Sequence, residues 1–388
     1  MTGRAPSLWF DAHLDLAYLA VTGRDLRAPL ATLALPDAPA GPHRPAGVTL
    51  PALREGGVHL FLATIFTEVM PPGEPVPPGP EGHASYTFGD ADGAYRRARG
   101  QLEVYLSLAE GGVLSLDLPR ALRAPEGVGE IRGGMGVAEV VPPSIDARVA
   151  AATRAGRPLV GILMENADPI RSPADLEWWV ERGVCAVGLT WARSSRYATG
   201  NGAPPGERVG LTPLGHELVR EMDRLGVLHD ASHLSDRALE DLFEATPRVV
   251  VASHSNCRAL LDRDGRPPNQ RHLTDRAIRE IVRRGGVVGL NLYSPFVSRQ
   301  GEDRRATIDE AIAHVERVCE LAGSMRHVGL GSDIDGGFGA DRLPAGIDRP
   351  ADYRKLAEAL ARRGWTREQL DDFAWRNWAR VLAGDAAP

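Results

Sequence analysis

Short apolar runs recur along the chain at Leu8–Phe10, Val58–Phe66, Leu159–Met164, Cys185–Leu189, Val227–Leu228, Val249–Ala252, Val287–Leu292 and Val328–Leu330. Each is bounded by glycine or charge and rich in Val, Ile and Leu, the composition of strands buried on both faces of a parallel sheet. Amphipathic stretches separate most of them. Leu214, Leu218, Met222 and Leu225 keep helical spacing within Thr212–Gly226. Ile278, Ile281 and Val282 do so after a Thr–Asp start suited to an N-cap, and Ile308, Ile312, Val315, Val318 and Leu321 do so within Thr307–Gly323. Repeated strand–helix units predict a parallel sheet, and eight of them predict closure into a (β/α)8 barrel of the TIM type. An open doubly wound sheet is the alternative. One domain is expected over residues 1–388, ending in two helices at about 351–383. Pro71–His83 is too rich in Pro and Gly for regular structure and follows the second strand, on the face where barrel loops carry chemistry. The stretch from Gln101 to Gly156 is longer than one helix needs and yields no clear element.

Composition narrows the function. The net charge of -6, with arginines interspersed among acids, argues against nucleic acid, which needs a clustered basic face. Cys185, Cys257 and Cys319 are odd in number and far apart, as in a reducing compartment. No apolar run is long enough for a membrane span, and the first residues lack a signal-like apolar stretch. The expected location is therefore the cytoplasm.

Ionisable residues gather where the predicted strands end. His13 and Asp15, two apart after the first strand, share one face of an extended segment and can grip one ion together. Glu165 directly follows the third strand, His229 and His233 stand at the fifth, His254 at the sixth, and Asp333 at the eighth. A barrel turns this series into a ring around one mouth. His13, His254 and one of His229 and His233, with Asp15 and Glu165, supply there the nitrogen and oxygen donors zinc prefers, and one carboxylate can bridge two ions. Alone, each motif is weak: a histidine after a strand is commonly a hydrogen-bonded core residue, and Asp333 could cap a turn. Placement on different strand ends is what gives the set its weight.

With these segments the sequence resembles the membrane (renal) dipeptidase family of metallopeptidases. The resemblance runs from FDAHLD near the start to NWARVL near the end, through EMDRLGVLHDASHLSD (221–236), ASHSNCRAL (252–260), RHLTD (271–275) and HVGLGSDIDGG (327–337). It implies a barrel of the metallo-dependent hydrolase type with two zinc ions. His13 and Asp15 would hold one, His233 and His254 the other, and Glu165 would bridge them. Asp333 is similar to the family's acid/base carboxylate, Arg271 to the residue that holds the substrate's terminal carboxylate, and Tyr293 to a contact at the same end. The implied reaction is hydrolysis of a dipeptide amide bond by a bridging hydroxide. The implied partner is a dipeptide or similar small amide, with neither nucleic acid nor membrane; a homodimer is left open.

Three departures bear on substrate. Where the family often has Leu-Thr-His at the end of the fourth strand, this chain has Leu189-Thr190-Trp191; Trp191 can donate a hydrogen bond but cannot carry charge, so either a nearby group such as Arg193 or Arg196 takes over or the substrate differs. Asn166-Ala167-Asp168 replaces a glycine pair, and Trp375-Arg376-Asn377 a glycine-rich string. Alternatives are a hydrolase of another small amide or lactam on the same metals, and a non-catalytic metal-binding barrel. Barrels whose metals are bridged by a carboxylated lysine are excluded, because the sole lysine, Lys355, lies in the terminal helical region.

Overall fold

The computed structural model describes residues 6–123, 130–132, 139–141, 143–154, 156–204, 206–263, 266 and 268–385. Eight parallel strands form one sheet: β1 (Trp9–Leu14), β2 (Val58–Ile65), β3 (Leu159–Met164), β4 (Val184–Gly188), β5 (Leu228–Asp230), β6 (Val250–Val251), β7 (Val288–Leu290) and β8 (Val328–Leu330). They neighbour one another in chain order, with β8 returning to pair with β1. The ring closes between β6 and β7 through a parallel bridge from Ala252 to Val288. Gly289 N donates to Ala252 O at 2.7 Å, and Ala252 N to Val287 O at 3.0 Å. The TIM-type barrel is thus realised, and the open-sheet alternative is not.

The expected runs match these strands to within a few residues, with one informative difference. β1 continues past the apolar Trp9–Phe10 through Asp11-Ala12-His13-Leu14, and all six of its residues are buried. Pairing with β2 carries polar side chains into the ring at that point.

α1 (Leu16–Val21) and α2 (Leu50–Glu55) fill the β1–β2 connection, and α3 (Ala91–Glu110) follows β2. α4 (Ile145–Thr153), α5 (Leu176–Val180), α6 (Pro213–Leu225), α7 (Asp236–Ala245), α8 (Asp275–Arg283) and α9 (Ile308–Ala322) complete the outer layer before the terminal helices. The N-cap read from sequence at Thr274 is in place, and Thr212 and Thr307 cap their helices likewise: each accepts a backbone N–H of the first turn, and Thr307 forms a reciprocal capping box with Glu310. Gly226 and Gly323 end their helices in the left-handed region.

Sequence reading missed α3 and α4. The missed stretch also holds a short helix, Leu118–Leu122, and an antiparallel pair, Glu130–Arg132 with Glu139–Val141. The end of the chain holds α10 (Arg354–Arg362) and a second helical run from Arg367 to Ala383, interrupted by a π turn at Asp372–Arg376. There Asn377 Nδ2 donates to Met325 O and Val328 O, both at 2.7 Å, fastening the run to β8. Lys355 binds Asp352 Oδ1 at 2.7 Å, as expected of a peripheral residue. Among the described residues no helix is long and apolar enough to cross a membrane.

Candidate metal centre

All eight strands point their C-terminal ends at one mouth, and the polar residues read from sequence meet there. Glu165, directly after β3, is the hub. Its Oε1 lies 3.6 Å from His13 Nε2, 3.2 Å from His233 Nε2 and 3.5 Å from His254 Nε2. His13 Nε2 is also 3.8 Å from Asp15 Oδ1 and 4.0 Å from Asp333 Oδ1. Two overlapping sets of donor atoms result, His13–Glu165–His254 and His13–Asp15–Asp333, each drawn together within 4.8 Å. His233 joins through His254, Nε2 to Nε2 at 3.0 Å.

His229, the competitor on the same strand, is not part of this cluster. Its Nε2 meets Asp223 Oδ1 of α6 at 2.7 Å, which faces it outward from the barrel. His233 reaches the mouth with a positive φ of 67°, as does Asp333 at 59°. Non-glycine residues held in that region are costly, and they cluster where geometry serves function. Glycine permits the tight turn after β8: a Cβ on Gly336 would lie 1.8 Å from Asp333 Oδ1 and 3.0 Å from Asp15 Oδ2.

A second layer, which the sequence reading did not assign, orients these groups. Asp230 Oδ2 accepts from Ser253 Oγ at 2.6 Å, and Ser253 Oγ meets His254 Nδ1 at 2.8 Å. Asn201 Oδ1 meets His233 Nδ1 at 3.1 Å, Thr64 Oγ1 donates to Asp15, and Asn291 Nδ2 donates to Asp333 Oδ2 at 2.8 Å. Asp11 takes Ser332 N at 2.8 Å and Tyr353 OH at 3.0 Å, tying β1 to β8 beside His13. Asp11, Asp230 and Ser253 lie one to three residues before a ligand candidate, a signal available in the sequence. Asn201 lies in a loop between elements and gave none.

The electrostatics suit a cation. Burial, reinforced by the nearby Arg271 charge, pushes His13 down to about 3. Burial likewise holds His233 and His254 far below the usual histidine range. The three imidazoles are therefore neutral and present lone pairs. Burial first, then the charges of Asp15 and Asp333, raises Glu165 well above the ordinary carboxylate range. Burial and Asp15 do the same to Asp333. His13 Nε2 is buried without a hydrogen-bond partner. Neutral nitrogen donors, mutually repelling carboxylates and an orphaned imidazole nitrogen form a donor set that fits divalent metal.

Arg271 is buried next to this cluster. Its Nη2 donates to His254 O at 2.8 Å and its Nη1 to Ser255 Oγ at 3.0 Å, while Nε has no partner. Its guanidinium lies over the Phe296 ring, 5.1 Å from the centroid. Tyr293 stacks on Phe338 at 4.4 Å on the same side. Trp191 sits across the mouth, its ring 6.1 Å from that of His233. The two arginines considered as sources of charge beside it are engaged elsewhere. Arg193 pairs with Glu68 at 2.7 Å, and Arg196 donates to Ile170 O at 2.9 Å. Asp168, from the altered Asn166-Ala167-Asp168 string, receives Tyr86 OH at 2.5 Å and Arg196 N at 2.8 Å, so that departure braces the loops after β3 and β4.

Comparison with known proteins identifies the family and the fold. The profile of the membrane dipeptidase family (peptidase family M19) matches residues 140–386. A Klebsiella pneumoniae protein encoded in the pqqA 5' region is 33% identical over 213 residues, covering 54% of this chain and 74% of that one. An uncharacterized dipeptidase of Schizosaccharomyces pombe is 32% identical over 212 residues, 54% of this chain but 49% of its own length. The chain thus spans about half of that fungal relative. Among solved structures, dipeptidase AC, a metallopeptidase of family M19, superposes with a TM-score of 0.70 at 24% identity, over 97% of both chains. A Rhodobacter sphaeroides metallopeptidase, liganded with a phosphinate mimic of the dipeptide L-Ala-D-Ala, gives 0.70 at 23% identity over 98% of this chain and 99% of that one. With a family profile matching well over half its length, this chain belongs to the membrane dipeptidase family, peptidase family M19.

Proposed function

We propose that this protein is a metal-dependent hydrolase of dipeptide amide bonds, with two zinc ions held by His13, Asp15, Glu165, His233 and His254 and bridged by Glu165. The observation that carries the reading is the approach of three imidazole Nε2 atoms to one carboxylate oxygen of Glu165, all within 3.6 Å, in a chain of this family. Bound there, two divalent ions supply a hydroxide nucleophile near neutral pH and a Lewis acid for the scissile carbonyl. The mixed nitrogen and oxygen donor set suits zinc.

The chain's own residues do the rest. Asn291 occupies Asp333 Oδ2, which leaves Oδ1 facing the cluster, free to take a proton from the attacking water and hand it to the departing amine. Arg271 is held rigidly through two of its nitrogens and retains an unpartnered Nε–H, an arrangement that suits capture of a substrate carboxylate. Tyr293, stacked on Phe338, closes that end. A free carboxylate requirement restricts cleavage to the amide bond next to an open C-terminus. The Rhodobacter sphaeroides metallopeptidase with its L-Ala-D-Ala mimic is the reason to include L,D-dipeptides in the test. Three free cysteines support a cytoplasmic setting.

The test is hydrolysis of a panel of L,L- and L,D-dipeptides by zinc-loaded protein, with chelated protein as control. The reading predicts cleavage that vanishes with the metal. Two bound zinc ions without cleavage of any dipeptide would move the assignment to another small amide or lactam.

A further inference from the structure

A row of aromatic rings leads away from the ligand cluster along one flank of the mouth. Trp191 lies 6.1 Å from His233 and meets Phe66 edge-on at 5.2 Å. Phe66 meets Tyr18 edge-on at 5.5 Å, and Tyr18 stacks with His43 at 5.9 Å. The three larger rings come from separate elements: Tyr18 from α1, Phe66 from the residue after β2, and Trp191 from the loop after β4. All three are half-buried.

The wall is held from behind. Buried Gln101 of α3 clamps the Phe66 backbone, its Oε1 accepting from Phe66 N at 2.9 Å and its Nε2 donating to Phe66 O. Thr190, beside Trp191, donates to His233 O at 3.0 Å. Gly200 packs against the Trp191 carbonyl so closely that a Cβ there would come within 2.5 Å of it. A rigid ring loses little entropy on meeting a ligand.

Arg271 lies over Phe296 at 5.1 Å with its guanidinium on His254 O and Ser255 Oγ, whereas Arg342, over Tyr293 at 5.7 Å, pairs with Glu302 at 2.7 Å. On the Trp191 side, Arg193 and Arg196 are committed to Glu68 and to backbone carbonyls. We propose that a substrate with its carboxylate at Arg271 lays its amino-terminal residue against Trp191, Phe66 and Tyr18, which form a specificity wall that selects an apolar or aromatic side chain there. This inference rests on the dipeptidase reading.

The experiment compares kcat/KM for Phe-Ala, Ala-Ala and Ala-Phe on the zinc-loaded wild type, Trp191→Ala and the milder Phe66→Leu. The wild type should favour Phe-Ala over Ala-Ala, and Trp191→Ala should cut that ratio about tenfold, the scale of one apolar side-chain contact. Phe66→Leu should cut it less, and the Ala-Phe to Ala-Ala ratio should stay within about twofold. Independently of turnover, Phe-Ala should change the tryptophan fluorescence of the wild type more than that of Trp191→Phe. Cleavage with a Phe-Ala preference unmoved in both variants would overturn the wall. A wild type that cleaves no dipeptide at all would instead overturn the parent reading.

Discussion

Around His13, His233, His254, Glu165 and Asp333, side chains are oriented by buried polar partners such as Ser253, Asn201, Asn291 and Thr64. Across the mouth, Tyr18, Phe66 and Trp191 meet through ring contacts between 5.2 and 5.5 Å and remain half-exposed. The first region buries ionisable groups at high electrostatic cost and fixes them with hydrogen bonds, so one lost atom leaves another unpaired. The second buries apolar area, and its losses are graded by size. Chemistry and selectivity should therefore fail differently under mutation.

The largest contrast is expected at Glu165. Glu165→Gln keeps the shape but removes the shared charge from all three imidazoles, and kcat/KM should fall by at least about a thousandfold for every dipeptide alike. A loss confined to some substrates would contradict the division of labour. One layer out, Asp230→Ala strips Ser253 of its acceptor at 2.6 Å and loosens His254. Zinc affinity, measured against a chromogenic chelator, should weaken about 10–100-fold. An unchanged affinity would show that the Ser253 hydroxyl needs no anchor. Arg271→Lys keeps the charge and loses the planar fork, so KM should rise about 10-fold or more while kcat moves far less. A fall in kcat alone would place Arg271 with the chemistry instead.

A buried histidine outside the mouth sharpens the comparison from the other side. His314 of α9 accepts from Cys257 N at 3.1 Å and its Nε2 meets Val297 O at 3.1 Å, and burial lowers it to about 4 from an ordinary 6.5. Its depressed value means the folded state resists protonation. Stability from this group is full above about 6.5 and is lost as pH falls towards 4, by on the order of 3 kcal/mol. Denaturant midpoints of wild type and His314→Asn should differ least near pH 4 and most above pH 6.5, and a constant gap across that range would contradict the assignment.

How much of this was legible in the chain follows from where each signal lies. Barrel strands announce themselves as apolar runs because both their faces are covered, and Thr212, Thr274 and Thr307 mark helix starts through local hydrogen bonds. Ligand candidates follow those runs directly, so Glu165, His233, His254 and Asp333 could be picked out. β1 was read too short because its polar Asp11 and His13 interrupt the apolar pattern that marks a strand, although both are fully enclosed. α3 and α4 were missed in the long connection between β2 and β3, which holds more than the single helix a strand–helix unit needs. Asn201, Asn291 and Thr64 act through side-chain contacts that only the folded ring creates. The same holds for the aromatic wall: Tyr18, Phe66 and Trp191 are far apart in sequence and share no periodicity.

The most direct test of the central claim is a zinc titration of the chelated protein, following release of free amino acids from a dipeptide at each step. The account predicts no hydrolysis without metal and a rate that rises to a plateau at two equivalents, with Glu165→Gln flat throughout. Hydrolysis that persists in the chelated protein, or a plateau of zinc binding reached with no dipeptide cleaved, would contradict it.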